Sequence, residues 1–295
     1  MTVSGVAACV ACGGHAFSEV PYPREGVSIT SIGFDSIRIC AACGLGQALP
    51  LRSQAELDAF YARGEYRAEG GAAHEARQRL HERNQCRHRV AIALPFASGK
   101  DSLRVLDVGA GHGWIVDWLL HALPGRLLSY DYVEPDDDVS ALIERRVKDA
   151  NLRRLPGLNE AAPAYDLIFL DHVLEHVAHP LALLGEVKHR LAPGAVAYVE
   201  VPNADYRFKR NVFPHTFFFT PEALSQLGAA AGIAVARCEV FGRPPSGVMS
   251  LPLRAAYRVA ATAGLLSLAG GLDDRLWRYA PVRDGMWIRW LIRAA

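Results

Sequence analysis

The sequence predicts an α/β fold, in which strands of a largely parallel sheet alternate with helices, preceded by a small cysteine-rich metal-binding module. Three observations carry this. A β-rich run, Leu103 to Val108, passes through a glycine turn, Gly109-Ala110-Gly111-His112-Gly113, into an apolar stretch of helical length, Trp114 to Leu123. Further apolar strands then alternate with helical segments as far as Val240. Two C-x-x-C pairs, Cys9/Cys12 and Cys40/Cys43, stand ahead of all of this.

Composition excludes several classes. With 295 residues, 51% hydrophobic and 21% charged, the chain is globular and not disordered, collagen-like or a coiled coil. Lys plus Arg is 32 against 31 Asp plus Glu, a net charge of +1, so no whole-molecule field favours DNA or an anionic membrane. Residues Met1 to Val10 have no positive charge ahead of their apolar residues and do not read as a signal peptide, so the cytoplasm is the expected location. The uncharged stretch Val259 to Leu272 is 14 residues long and falls short of a membrane span, which needs ~20. It reads as a buried helix.

The cysteine knuckles are 27 residues apart, and each is followed by a glycine, Gly13 or Gly44. A two-residue spacer lets both sulfurs of one turn reach the same ion, and four thiolates suit zinc in a closed structural site. Cys9, Cys12, Cys40 and Cys43 are therefore the expected ligands of a zinc ribbon, with a hairpin such as Ser28 to Ile39 between them. Cys86 and Cys238 lack paired spacing and read as interior residues. Ser53-Gln54-Ala55-Glu56 is a capping box that starts a helix, and Tyr61 and Tyr66 flank a turn at Gly64. From His74 to Arg89, three histidines at intervals of seven and Arg77, Arg79, Arg83, Arg87 and Arg89 make a basic helix. Its charges read as a solvated face or as a contact for an acidic substrate.

The glycine turn selects a ligand. A dinucleotide fingerprint puts its third glycine where Trp114 stands, whereas this loop is G-x-G-x-G with Asp107 two residues ahead. Such a loop lets a ligand approach the backbone closely at a helix amino terminus. Twenty-five residues beyond Gly109, the strand Leu127 to Val133 ends in Glu134-Pro135, a carboxylate suited to the hydroxyls of a ribose. An adenosyl group fits that spacing. The next elements are a strand over Asp166 to Leu170, a helix from Pro180 stopped by Pro193-Gly194, and a strand over Ala195 to Val201. A helix from Thr220-Pro221 to Ala231-Gly232 and a strand over Ile233 to Val240 follow.

Asp107 to Gly113, Glu134 at the second strand end, and the run Tyr165-Asp166-Leu167-Ile168-Phe169-Leu170-Asp171-His172-Val173-Leu174-Glu175-His176-Val177 resemble class I S-adenosylmethionine-dependent methyltransferases, over about Arg104 to Gly232. The resemblance implies a Rossmann-like, seven-stranded, mostly parallel sheet with helices on both faces, closed by an antiparallel strand near Met286 to Ile292. It implies S-adenosylmethionine as cofactor. Asp107 would steady the glycine loop or meet the methionine ammonium, Gly109, Ala110, Gly111 and Gly113 would line the methionyl part, and Glu134 with Pro135 would hold the ribose. Asp171 and His172 would border the sulfonium. His172, His176 and His215 compete as general base, His215 lying in an aromatic run, Phe213 to Phe219, that faces acceptor or core. A set of Asp171, Glu175 and His176 holding a divalent ion, as in related quinone-modifying members, is a further alternative. The cysteine pairs, the Cys43-Gly44-Leu45-Gly46 step and the paired tyrosines resemble a subgroup that modifies sugars, often nucleotide-linked.

The expected division is a zinc ribbon over 1–50, a helical connector over 51–100, the cofactor-binding core over 101–242, and a helical insertion with the last strand over 243–295. The apolar Arg243 to Asp284 stretch is read as covering the substrate side or making a homodimer contact, with a peripheral membrane contact as the weaker alternative. The expected activity is methyl transfer to a small molecule, a sugar or nucleotide sugar. Competing readings are an RNA or protein methyltransferase that docks through the ribbon, a non-catalytic cofactor sensor or scaffold, and a dehydrogenase, which Trp114 disfavours.

Overall fold

The two cysteine knuckles frame a small antiparallel sheet of β1 (Phe17–Pro21), β2 (Ser36–Cys40) and β3 (Gly46–Leu49), paired in chain order. The structure, a computed structural model, describes residues 8–27, 30–66, 72–97, 99–148, 151–244 and 251–294. The hairpin expected over Ser28 to Ile39 is instead the β1/β2 pair, with a long connection between its strands; Ser28 and Ile29 lie outside the described residues. α1 (Gln54–Ala62) starts at the expected capping box, in which Glu56 accepts from the Ser53 amide at 2.8 Å. α2 (Ala72–Ala93) is the basic helix. One side of it, Cys86, Val90 and Ala93, is buried against the core.

The core follows as β4 (Leu103–Val108), α3 (Trp114–Ala122), β5 (Leu127–Val133), α4 (Asp137–Arg146), β6 (Leu152–Leu155) and β7 (Tyr165–Asp171). α5 (Pro180–Arg190), β8 (Leu191–Pro202), β9 (Phe217–Phe218), α6 (Pro221–Ala230) and β10 (Ile233–Phe241) come next. α7 (Leu251–Thr262), α8 (Leu266–Trp277) and β11 (Trp287–Ala294) complete the order. The large sheet runs β10-β11-β8-β7-β4-β5-β6, and β11 is antiparallel to both its neighbours. Strands β4 to β8 are parallel, so their carboxyl ends converge on one edge, where open α/β sheets bind ligands. β7 is buried on both faces, in keeping with its unbroken apolar text.

β9 leaves the large sheet and adds to the edge of β3, with Gly46 opposite Phe218. The cysteine module and the core thus share one four-stranded sheet, β1-β2-β3-β9. α7 and α8 pack on α2. Buried Asp273 accepts from the Asn84 amide at 2.8 Å and from the Tyr279 hydroxyl at 2.9 Å, and His88 Nε2 lies 2.7 Å from Asp274. Among the described residues the helical insertion thus packs on α2, and none of it lines the larger cavity described below. Cys86 is buried as expected, but Cys238 is exposed because β10 is an edge strand. Among the described residues no helix is long and apolar enough to cross a membrane.

Candidate active site

The four paired cysteines converge. Cys9 and Cys43 sulfurs are 3.6 Å apart, as are those of Cys12 and Cys40, and one sulfur of each lies within 4.8 Å of the rest. A tetrahedral zinc ion with Zn–S bonds of ~2.3 Å has sulfur–sulfur edges of about 3.8 Å, so this set fits a structural zinc site. Its four positions are all protein sulfur, which leaves none for chemistry. The Thr220 hydroxyl, which caps α6, donates to the Cys43 carbonyl at 3.0 Å and ties the knuckle to the core.

At the converging strand ends two cavities adjoin. The smaller, about 580 Å³, is lined by Asp107, the loop Gly109 to His112, Trp114, Asp171 and the α2 residues Gln85 and Arg89. The larger, about 1030 Å³, is lined by Glu134, Pro135, Leu155, Tyr61, His176 and Pro214 among others. Tyr66, Gly109, Gly111 and His172 border both. Gly109 has φ +71, and a Cβ there would stand 2.6 Å from Val173 Cγ2; Gly111 has φ +51 with nothing within 4 Å, so its backbone is open to a ligand. Gly113 sits at the start of α3. His112 Nδ1 lies 2.8 Å from Glu82, which links the loop to α2.

The smaller cavity is lined by two acidic side chains, Asp107 and Asp171, that the surroundings hold partly protonated. Asp107 is buried and accepts from the Tyr130 hydroxyl rather than from the glycine loop; burial and the nearby Asp171 push its pKa up to about 8. Asp171 is likewise raised, to about 7, chiefly by burial, although Arg89 at 3.4 Å opposes this. Neither Asp171 oxygen, nor the indole nitrogen of Trp114, has a hydrogen-bond partner among the described residues. The donor-less carboxyl of Asp171, with Asp107 beside it, fits a cationic ligand such as the ammonium and sulfonium of S-adenosylmethionine. In the adjoining cavity Glu134 is fixed by two backbone amides, Gly111 at 2.8 Å and Asp136 at 2.9 Å, and presents its carboxylate beside Pro135.

His172 closes β7 in the left-handed region, at φ 54. Its Nδ1 lies 2.9 Å from Glu175 and its Nε2 3.5 Å from Glu200. Burial lowers its pKa, but these two carboxylates outweigh burial and hold it at about 9. Both ring nitrogens therefore face carboxylates, an arrangement that favours the protonated ring. His176 is the opposite case: burial drives it down to about 3 against the pull of Glu175, so it is neutral. Its Nδ1 is 2.7 Å from the Tyr61 hydroxyl. His215 packs on it with ring centroids 4.8 Å apart and has Nδ1 3.4 Å from buried Asp205. Asp171 is not part of the Glu175/His176 cluster; His215 takes its place.

Several contributing residues were not read from the text. Arg89 is buried and donates to Glu200 at 2.6 Å, so it is neither a solvated charge nor a substrate contact in the open. Its position three residues after Cys86 on the apolar side of α2 was the available signal. Asp205 gave none, because its pairing with His215 depends on how the segment after β8 turns back.

A family model described as a methyltransferase domain matches residues 77–237. No curated protein matches the chain. Among solved structures, it is similar to a chain of the complex between the Haloferax volcanii Trm112 methyltransferase activator and a methyltransferase. The identity is 15% with a TM-score of 0.53, covering 82% of this chain and 97% of that one. It is also similar to an S-adenosylmethionine-dependent methyltransferase from Mesorhizobium loti, at 16% identity and TM-score 0.45, covering 69% and 96%. Another from Archaeoglobus fulgidus gives 18% and 0.48, covering 71% and 93%. The first of these likenesses shows a shared fold.

Proposed function

The chain belongs to the methyltransferase-domain family, as a class I S-adenosylmethionine-dependent enzyme, and from that premise we propose that its acceptor is a small molecule, a sugar or nucleotide sugar. When bound, S-adenosylmethionine supplies an electrophilic methyl group and a thioether leaving group. The protein's part is to align donor and acceptor and to exclude water.

Asp107 and Asp171 hold the cationic end of the donor, the backbone at Gly109, Ala110 and Gly111 lies along its methionyl part, and Glu134 with Pro135 holds the ribose. Arg89 and Glu200 are positioning residues that fix Asp171 and His172 from below. His176 and His215, with Tyr61, form the acceptor side, where they orient and polarise the acceptor group.

The observation that carries this reading is the adjacency of the two cavities across Gly109, Gly111 and His172. Gln54, Asp58 and Tyr61 give the larger one amide, carboxylate and phenol groups suited to a hydroxyl-rich ligand. Asp58 on its wall works against an RNA backbone. Cysteine thiols grouped for metal, not joined as disulfides, support a cytoplasmic setting.

Incubation with methyl-labelled S-adenosylmethionine and a cell extract, then separation into small-molecule, RNA and protein fractions, tests the proposal. Label in the small-molecule fraction is expected. Label confined to RNA or protein overturns it in favour of a macromolecular acceptor, and cofactor binding with no transfer to any fraction overturns it in favour of a sensor or scaffold.

A further inference from the structure

We propose that Glu175, His176 and His215 form a second metal site, for a divalent transition ion such as zinc, in the wall of the acceptor cavity. One donor atom of each lies within 4.8 Å of the other two. The three come from two separate segments. Glu175 and His176 lie in the turn after β7, and His215 precedes β9. Thr216 holds the segments together, its amide donating to the Glu175 carbonyl at 2.7 Å and its hydroxyl to the Val177 carbonyl at 2.9 Å.

Each donor is prepared for a cation. His176 Nδ1 faces the Tyr61 hydroxyl at 2.7 Å, and His215 Nδ1 faces Asp205 at 3.4 Å. Metal-bound imidazoles are held as His176 is, the far nitrogen hydrogen-bonded to an oxygen, and at His215 the Asp205 carboxylate stands near enough to take that part. Glu175 is fully buried; one oxygen meets His172 at 2.9 Å, and the other has no hydrogen-bond partner among the described residues. A buried carboxylate oxygen without a donor is costly, and an ion satisfies it. Two imidazoles and a carboxylate are a zinc-type donor set that leaves a coordination position open. At metal–ligand distances of about 2.0–2.2 Å the donors would draw together slightly. Tyr61, His176 and Pro214 line the larger cavity, so the open position adjoins it and would take an oxygen donor from the acceptor. That last clause rests on the acceptor reading above; the metal site itself does not.

The test uses the full-length protein with zinc in its ribbon, dialysed against Co²⁺, with metal content and visible absorption measured. The expected result is one cobalt ion per chain beyond the ribbon's zinc, with ligand-field bands and no thiolate charge-transfer band. His215→Asn and Glu175→Gln should each lose that cobalt and keep the zinc, and Asp205→Asn should weaken cobalt binding about 10–100-fold. Cobalt absent from the wild type overturns the proposal, as does cobalt that persists in both His215→Asn and Glu175→Gln. No acceptor or turnover enters this measurement, so a wrong acceptor class leaves its result unchanged.

Discussion

Arg89 and Asp171 face each other at 3.4 Å in the floor of the donor cavity, both buried, yet neither Asp171 oxygen accepts a hydrogen bond from a described residue. With Asp171 at about 7 and Asp107 at about 8, both carboxyls are partly protonated near neutrality. A cationic ligand favours their ionised forms, so S-adenosylmethionine binding should release protons at pH 7 and tighten as the pH rises from 6 to 8. It should level off above that, as the ligand's own ammonium, near 7.7–8.0, loses its charge. Calorimetry in buffers of different ionisation enthalpy reads the proton release directly; no release would contradict this account of the cavity.

Asp107→Asn separates the donor role from folding. The folded pKa of Asp107 is raised to about 8 from a usual 3.8. Such a group contributes stability that is full below about pH 4 and lost as the pH climbs through 8. The amide keeps the shape of the protonated acid and can still accept from Tyr130. The variant should therefore match the wild type near pH 4, exceed it in thermal stability at pH 9, and bind the cofactor poorly at neutral pH.

Loss of the ribbon's metal should reach the acceptor wall. Gly46 pairs with Phe218, Ala48 donates to the Thr216 carbonyl at 2.8 Å, and Thr220 donates to the Cys43 carbonyl. Cys40→Ser should release zinc and raise amide hydrogen exchange over Phe217 to Phe219. An unchanged zinc content would remove the ribbon from the account.

His176→Ala and His215→Ala should leave donor affinity within a few-fold of wild type and lower turnover by roughly 10²–10⁴. Measuring donor binding and single-turnover rate on the same samples distinguishes this from misfolding. Normal turnover in both variants would end any acceptor-side role for the pair.

The parallel core was legible because its signals are local. Leu127–Val133 occurs as read, and the capping box at Ser53 and the Thr220-Pro221 start both hold. The sulfur set of the ribbon was legible from spacing alone. α4 and the short β6 were not singled out, since Leu152–Leu155 carries two arginines in four residues and has no alternation to read. The joining of β9 to β3 is a contact across about 170 residues that no local pattern encodes. For the same reason the protonation of His172 and His176 was hidden. His172 and His176 are four residues apart, and only their surroundings in space, two carboxylates at one ring and burial at the other, push their pKa values in opposite directions.

The central claim is that one cleft, at the carboxyl ends of β4, β5 and β7, binds S-adenosylmethionine. Titration calorimetry of the cofactor into wild type, Gly111→Arg and Glu134→Ala tests it most directly. Gly111 sits at φ +51 facing open space, so an arginine there fills the cleft at a strain cost of about 1–3 kcal/mol that the fold should tolerate. The account predicts binding to the wild type, none to folded Gly111→Arg, and at least about tenfold weaker binding to Glu134→Ala, the loss of one charge-assisted hydrogen bond. Wild-type affinity in both folded variants would place the cofactor elsewhere and contradict it.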